Sequence, residues 1–299
     1  MSLVIVGSLA FDTIETPFAR KEKIIGGSCS FAALAASYFT QPKVVAVIGE
    51  DFPEKFMDQL RERGVDTRGV TREAGKTFHW EGRYGEDPNL RTTIKTDLNV
   101  FQDFKPQLLP DYAASDILFL GNIDPDLQED ILKQVVKPRL TAMDTIQLWI
   151  NTKFDALLRV IREVDIFFAN DEEVRIIADE LNLITAGKKL LDMGPSLIVI
   201  KKGEHGALLM GKDFLFGTLA YPCEKVVDPT GAGDSFAGAF LGYLDKLQEF
   251  TPDVFRKAAV FGSVMASFTI EDFSVERLTS LQEEEINQRY TALQQLVTF

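Results

Sequence analysis

Asp228–Phe240 reads DPTGAGDSFAGAF. Gly231 and Gly233 can take backbone conformations that a Cβ forbids, and they let an anion approach the main chain closely. The small residues Ala237, Gly238, Ala239 and Gly242 suit a helix lying close against a neighbour. At the start of that helix, the amides of Gly231, Ala232 and Gly233 are unpaired. Together with the positive end of the helix dipole they make an anion site. Asp234 sits beside it. A carboxylate there suits a general base that takes a proton from a hydroxyl attacking a phosphoryl group. The plainer alternative is a glycine turn, with Asp234 as a first-turn acid matched to the dipole.

Upstream, LVIVG at 3–7 is a short apolar run ending in glycine, as a buried parallel strand does. GSLAFD follows and brings Ser8 and Asp12 to the mouth of a sheet. Asp12 reads either as a loop cap or as two acceptor oxygens suited to a vicinal diol. IIGGSCSFAALAASYF at 24–39 sets Gly26 and Gly27 before an alanine-rich helix, with Ser28 as a fitting N-cap. VVAVI at 44–48 reads as a second buried strand, and a helix beginning near Pro53 stops at Gly64.

Residues 76–101 break this pattern. In KTFHWEGRYG the alternation puts Phe78, Trp80 and Tyr84 on one face and Thr77, His79, Glu81 and Arg83 on the other. A turn cluster at 85–89 leads into a second extended run, RTTIKTDLNVF. The two runs form a hairpin where an α/β core would place a crossover helix. It is expected to be a small β lid outside the main sheet, built from residues of about 13–25 and 76–101.

From Ser115 the alternation is regular. DILFLG, LTAMD, DIFFAN and LIVIK are strand-like, with helix-like segments such as 125–136 and 152–164 between them. Repeated βα units of this kind predict an α/β fold with a mostly parallel central sheet and helices on both faces. Ligand groups in such sheets lie at the carboxyl ends of strands, where Asn122, Asp124, Asp144 and Asn170 stand and Lys201–Gly206 follow. After the Asp234 helix, a long helix runs from about Pro252 with Gly262 and Ser263 within it, and 283–296 is an amphipathic surface helix.

The chain of 299 residues is 45% hydrophobic and 26% charged, ordinary for a globular enzyme. A net charge of −13 argues against nucleic-acid polymers and anionic membrane surfaces as partners. No apolar run reaches the roughly 18–20 residues of a membrane span. The N-terminus reads as a strand and not as a signal peptide. Cys29 and Cys223 fit reduced thiols, so a cytoplasmic location is expected.

DPTGAGDSFAGAF, the double glycine before the alanine helix, and NDEE at 170–173 occur in the order and spacing of the PfkB-type carbohydrate kinases. The chain resembles these ribokinase-like sugar and nucleoside kinases over essentially its whole length, so residues 1–299 are expected to form one kinase domain with a β lid. The resemblance implies an anion hole at Gly231, Ala232 and Gly233, with Asp234 as the base. It places Asp12, Gly26, Gly27, Asn122 and Trp80 at the acceptor. Phe31 is also placed there, standing where the family usually has an Asn that touches the sugar. ATP would lie along Asn170, Lys202, Gly203, Gly206, Thr230 and Gly262. Mg²⁺ would be held through water by Glu173, whose first alternative is a capped helix start. Asp228 and Thr230 flank the loop where some members bind a monovalent cation such as K⁺. The lid closes over substrate in this family and often joins two copies into a homodimer.

The expected activity is ATP-dependent phosphorylation of a hydroxyl on a small sugar or polyol, with a nucleoside of adenosine type as the alternative acceptor. A sugar- or nucleotide-binding regulatory protein without catalysis is the rival from another class, against which the intact Asp234 speaks. A dinucleotide-binding oxidoreductase is disfavoured, because GSLAFD after the first strand is not GxGxxG.

Overall fold

β1 (Leu3–Val6) is buried on both faces, and its side chains alternate between two cores. Leu3 and Ile5 join one apolar cluster while Val4 and Val6 join the other, as the period of two requires. A strand of this kind belongs at the middle of a sheet covered on both sides. The computed structural model describes residues 2–297. The next elements are β2 (Ala10–Glu15), β3 (Arg20–Gly26), α1 (Ser28–Ser37), β4 (Lys43–Gly49), α2 (Glu54–Glu62) and β5 (Asp66–Glu73). β6 (His79–Tyr84), β7 (Arg91–Asp97), a short α3 (Pro110–Ala113) and β8 (Ile117–Leu120) follow.

The second half repeats the βα unit. It runs through α4 (Pro125–Leu132), β9 (Leu140–Asp144), α5 (Gln147–Thr152), α6 (Phe154–Ile161), β10 (Ile166–Asn170), α7 (Asp171–Ala178), α8 (Leu183–Leu191) and β11 (Leu197–Lys201). The hairpin β12 (Ala207–Gly211) and β13 (Phe214–Thr218) precedes α9 (Ala232–Leu247), α10 (Pro252–Thr269), α11 (Glu276–Ser280) and α12 (Glu283–Leu296). The main sheet has the order β13-β12-β11-β10-β9-β8-β1-β4-β5. It is parallel from β5 to β11, and only β12 and β13 run antiparallel. The chain leaves β1 on one side toward β4 and returns on the other at β8, so the strand order reverses there. That is where an open α/β sheet opens a crevice for ligands.

α1, α9 and α10 cover one face of the sheet. α9 lies so close to α1 that a Cβ on Gly238 would overlap Ala32 O, and one on Gly242 would stand 3.0 Å from the Ala36 Cα. The small residues of DPTGAGDSFAGAF therefore serve packing while the start of the same helix faces the crevice. Among the described residues, no helix is long and apolar enough to cross a membrane.

A second sheet, β3-β2-β6-β7, stands apart as the lid. β2 pairs parallel with β6, which sets Asp12 opposite Trp80 on one face. Three local expectations are corrected. Gly27, not Ser28, is the N-cap of α1, and the Ser28 hydroxyl instead accepts from Ser8 N at 3.2 Å. The helix expected over 152–164 is α6, which begins only at Phe154 because the chain breaks at Lys153 after α5, and ends at Ile161. Phe78 leaves the aromatic face: it precedes β6 and its ring lies 5.5 Å from that of Phe101 on the body, while Trp80 and Tyr84 stay together.

Candidate active site

Gly231 is the N-cap of α9, with φ +78°, a left-handed conformation that a Cβ would strain. It turns the chain so that Ala232, Gly233 and Asp234 form the first turn. Against expectation the Ala232 amide is not unpaired but donates to Pro229 O in the preceding turn at 3.3 Å, while the amides of Gly233 and Asp234 lack intrahelical partners. Asp234 keeps partial solvent contact. Burial pushes its carboxyl up to about 7, and Asp144 adds to the rise, while Lys201 and Arg91 oppose it.

Lys201 ends β11 and reaches Asp144 at the end of β9, Nζ to Oδ2 at 2.5 Å. The other Asp144 oxygen accepts from Thr145 N at 2.9 Å. Burial disfavours the charge on Lys201. The neighbouring Asp144, Glu173 and Asp234 outweigh it and hold the ammonium above its ordinary range. The same ammonium stands 3.0 Å from where a Cβ on Gly233 would be, beside the amides of the helix start. A positive charge and a row of N–H donors thus meet at one point.

Asn170 and Glu173 form a reciprocal capping box at the start of α7: Glu173 N donates to Asn170 Oδ1 and Asn170 N to Glu173 Oε2, both at 2.8 Å. Glu173 is 5% exposed. Burial carries its carboxyl up to about 7, with Lys201 opposing and Asp144 adding. The helix-start alternative for these residues is therefore realised, and it leaves Glu173 Oε1 for another partner.

Asp12 comes from the lid side of the crevice. Its carboxylate lies on the bare Cα of Gly26, where a Cβ would overlap it. Burial, and then Asp228 and Asp234, hold its carboxyl well above the usual range, with Arg91 pulling the other way. Arg91 begins β7 and lowers the proton affinity of Asp12, Asp144, Glu173 and Asp234 alike, so the lid presents one cation to the whole acidic cluster. The Trp80 indole rests on Gly82, donates from Nε1 to Thr93 Oγ1 at 3.3 Å, and has Arg91 5.8 Å from its ring centroid. Tyr84 Oη and Thr230 Oγ1, 3.1 Å apart, tie the lid to the glycine loop. At the lid tip, Asn89 abuts Gly203.

The remaining expected residues divide. Gly27 and Asn122 border the crevice after β3 and β8, and Gly203 and Gly206 shape the turn after β11. Lys202 contributes its backbone, N–H to Gly206 O at 2.8 Å, while Lys201 sends its side chain to the site. Gly262 is a packing residue: a Cβ there would stand 2.9 Å from the Phe236 ring, inside the contact between α9 and α10. Phe31 is 1% exposed and lies beneath Gly231, so it cannot replace an acceptor-binding Asn. Asp228 clamps the loop, accepting from Thr230 N at 2.9 Å and Ser274 N at 3.3 Å. Asp144, Lys201, Arg91 and Tyr84 complete the cluster. The strand-end position marked the first two, and nothing local marked the others.

The sequence pattern of the pfkB family carbohydrate kinases matches residues 3–280. The cytidine kinase of Thermococcus kodakarensis is 30% identical over 249 residues, covering 81% of this chain and 88% of that protein. The nucleoside kinase of Methanothermobacter thermautotrophicus is 33% identical over 297 residues, covering 90% and 89%. The crystal structure of Methanocaldococcus jannaschii nucleoside kinase, an archaeal member of the ribokinase family, shares the fold with a TM-score of 0.77 at 19% identity, covering 98% of this chain and 99% of that one.

Proposed function

Because the chain belongs to the pfkB family of carbohydrate kinases, phosphotransferases acting on an alcohol group, we propose that it phosphorylates a nucleoside hydroxyl with ATP. The observation that carries this reading is the pairing of Asp12 with Trp80 in adjacent lid strands, a carboxylate and an indole on one face above the crevice. Two carboxylate oxygens suit the ribose diol. The indole suits a planar base, whose stacking contributes about 1–3 kcal/mol in nucleic-acid systems. The relatives named cytidine kinase and nucleoside kinase support it. A plain sugar or polyol, the broader expectation, uses Asp12 and gives the Trp80 ring no role at the acceptor.

In this reading Asp234 takes the proton of the attacking hydroxyl, and the amides of Gly231, Ala232 and Gly233 receive the charge that builds on the phosphoryl oxygens. Lys201 adds its ammonium beside Gly233. Arg91 arrives with the lid, which excludes water as a competing acceptor. Residues 1–299 act as one domain.

Among the described residues, no group of three or more His, Cys, Asp or Glu side chains is placed to hold a metal ion by itself. Mg²⁺ would be carried mainly by the phosphates, whose charge it neutralises when bound. Glu173 fits it through water: a buried carboxylate with one oxygen outside the capping box is an oxygen donor of the hard kind Mg²⁺ prefers. The oxygens expected to hold a monovalent cation make protein contacts, Asp228 with two backbone amides and Thr230 Oγ1 with Tyr84, and no step is assigned to K⁺.

Two experiments test the reading. Substrate-dependent ADP release across nucleosides, free sugars and inositols should select nucleosides, and Trp80→Ala should raise their KM about 5- to 100-fold. Activity with free sugars alone overturns the nucleoside proposal, and no turnover with any acceptor favours a regulatory protein. If Trp80→Ala instead gives monomers from a dimer with affinity intact, the aromatic face is an assembly surface. Glu173→Gln should raise the Mg²⁺ concentration for half-maximal rate several-fold, and an unchanged Mg²⁺ dependence leaves Glu173 as a helix cap only.

A further inference from the structure

Gly231 descends onto a ring. A Cβ built on it would overlap Cγ, Cδ1 and Cδ2 of Phe31 together, so the glycine Cα lies flat against the face of that side chain. Phe31 is closed to solvent and to ligands. It also stands one turn into α1, whose start is bound to the acceptor side of the crevice. Phe31 N donates to Gly27 O at 3.5 Å, and Ser30 Oγ donates to Gly26 O at 2.6 Å. Gly26 in turn carries the Asp12 carboxylate on its bare Cα. The backbone of Phe31 therefore belongs to the acceptor cradle and its ring to the floor of the anion hole.

We propose that Phe31 is a positioning residue for phosphoryl transfer, its ring setting the height of Gly231 and hence the separation between the anion hole and the hydroxyl held over Gly26. The inference rests on the phosphoryl site proposed above and not on the class of acceptor. Reacting atoms must lie within about 3–3.5 Å, and a misplacement of about 1 Å can cost about 10²-fold. A packed interior passes such a displacement on, because it has no slack to absorb it. Smaller side chains at 31 let Gly231 sink, and the amides of Ala232 and Gly233 move with it.

Phe31→Leu should lower kcat about 10- to 100-fold, with KM for ATP and for the acceptor each within about threefold of wild type. Phe240→Leu, at an equally buried ring further along α9, is the control for general loss of packing and should keep kcat. Both are assayed well below their melting temperatures. Gly231→Ala alone should be the slower single variant, since its methyl overlaps the ring. Adding Phe31→Leu should recover part of that rate, because the vacated space accepts the methyl while the backbone strain at 231 is common to both backgrounds. An unchanged kcat for Phe31→Leu, a loss matched by Phe240→Leu, or purely additive effects overturn the proposal. A change confined to acceptor KM also overturns it, making Phe31 a substrate wall. Wild-type rejection of nucleosides would bear on the acceptor class alone, and the same variants are then compared with the acceptor that is used.

Discussion

Asp234→Asn is expected to lower turnover about 10²- to 10⁴-fold and to leave ATP affinity nearly unchanged. Asparagine keeps the size of the side chain and its place in the first turn of α9, but it cannot accept the proton. The environment of Asp234 gives this prediction a second edge. Its carboxyl is lifted to about 7, by burial first and by Asp144 next, and a base must be ionised to act. For the wild type, kcat/KM should therefore climb as pH rises through about 7 and level off above it. Asp144→Asn removes a like charge and should shift that climb to lower pH. Stability has the opposite sign. A group whose folded pKa exceeds its unfolded value contributes stability below the unfolded value, and that contribution is lost as pH rises through the folded one. Asp234→Asn should thus melt no lower than wild type at pH 8 while being nearly inactive. Turnover within a few-fold of wild type would remove Asp234 from the role of base.

Lys201→Met is expected to damage both rate and stability. The lysine is the ion-pair partner of Asp144, which is 3% exposed, and breaking a buried pair from one side typically costs about 3–5 kcal/mol. Loss of a donor aimed at developing negative charge costs about 10²- to 10³-fold in kcat. The two effects separate in Lys201→Met/Asp144→Asn. Without the stranded carboxylate, much of the stability should return, while the rate should stay low because the ammonium beside Gly233 is still missing. The destabilisation of the single variant should also be smaller at pH 5.5 than at pH 8. Burial already raises the proton affinity of Asp144, and protonation at low pH removes the unpaired charge. A double variant that regains wild-type kcat would make Lys201 a structural counter-ion only.

The helix start at 231–234 was legible in the sequence because its geometry is local: two glycines, a helix start and an acid lie within a few residues, and no distant partner is needed to orient them. The strand ends were legible for the same reason, since each apolar run stops at a polar residue. The choice between Lys201 and Lys202 turns on parity. Leu197 and Val199 belong to the cluster on the α9 face, and Ile198 and Ile200 to the other. The period of two therefore assigns Lys201 to the side of α9, a signal that was present but overshadowed by the glycine turn that follows. Phe78 was misplaced because it lies before the first residue of β6, where alternation no longer holds. Arg91 carries no local mark, as β7 is largely exposed along its length and only the folding of the lid brings its first residue over the carboxylates. Phe31 is hidden for a similar reason: its ring meets a glycine 200 positions later in the chain.

The bond between Tyr84 and Thr230, with Asn89 set against Gly203 at the tip, joins the lid to the glycine loop and to the turn after β11 across the mouth of the crevice. Molecules then enter only during openings. The observed dissociation constant is the intrinsic one divided by the fraction of time spent open, and the association rate levels off at the opening rate however concentrated the substrate becomes. Departure passes the same barrier in reverse, so the contacts that hold the lid shut act on product release as well as on entry, outside the chemical step.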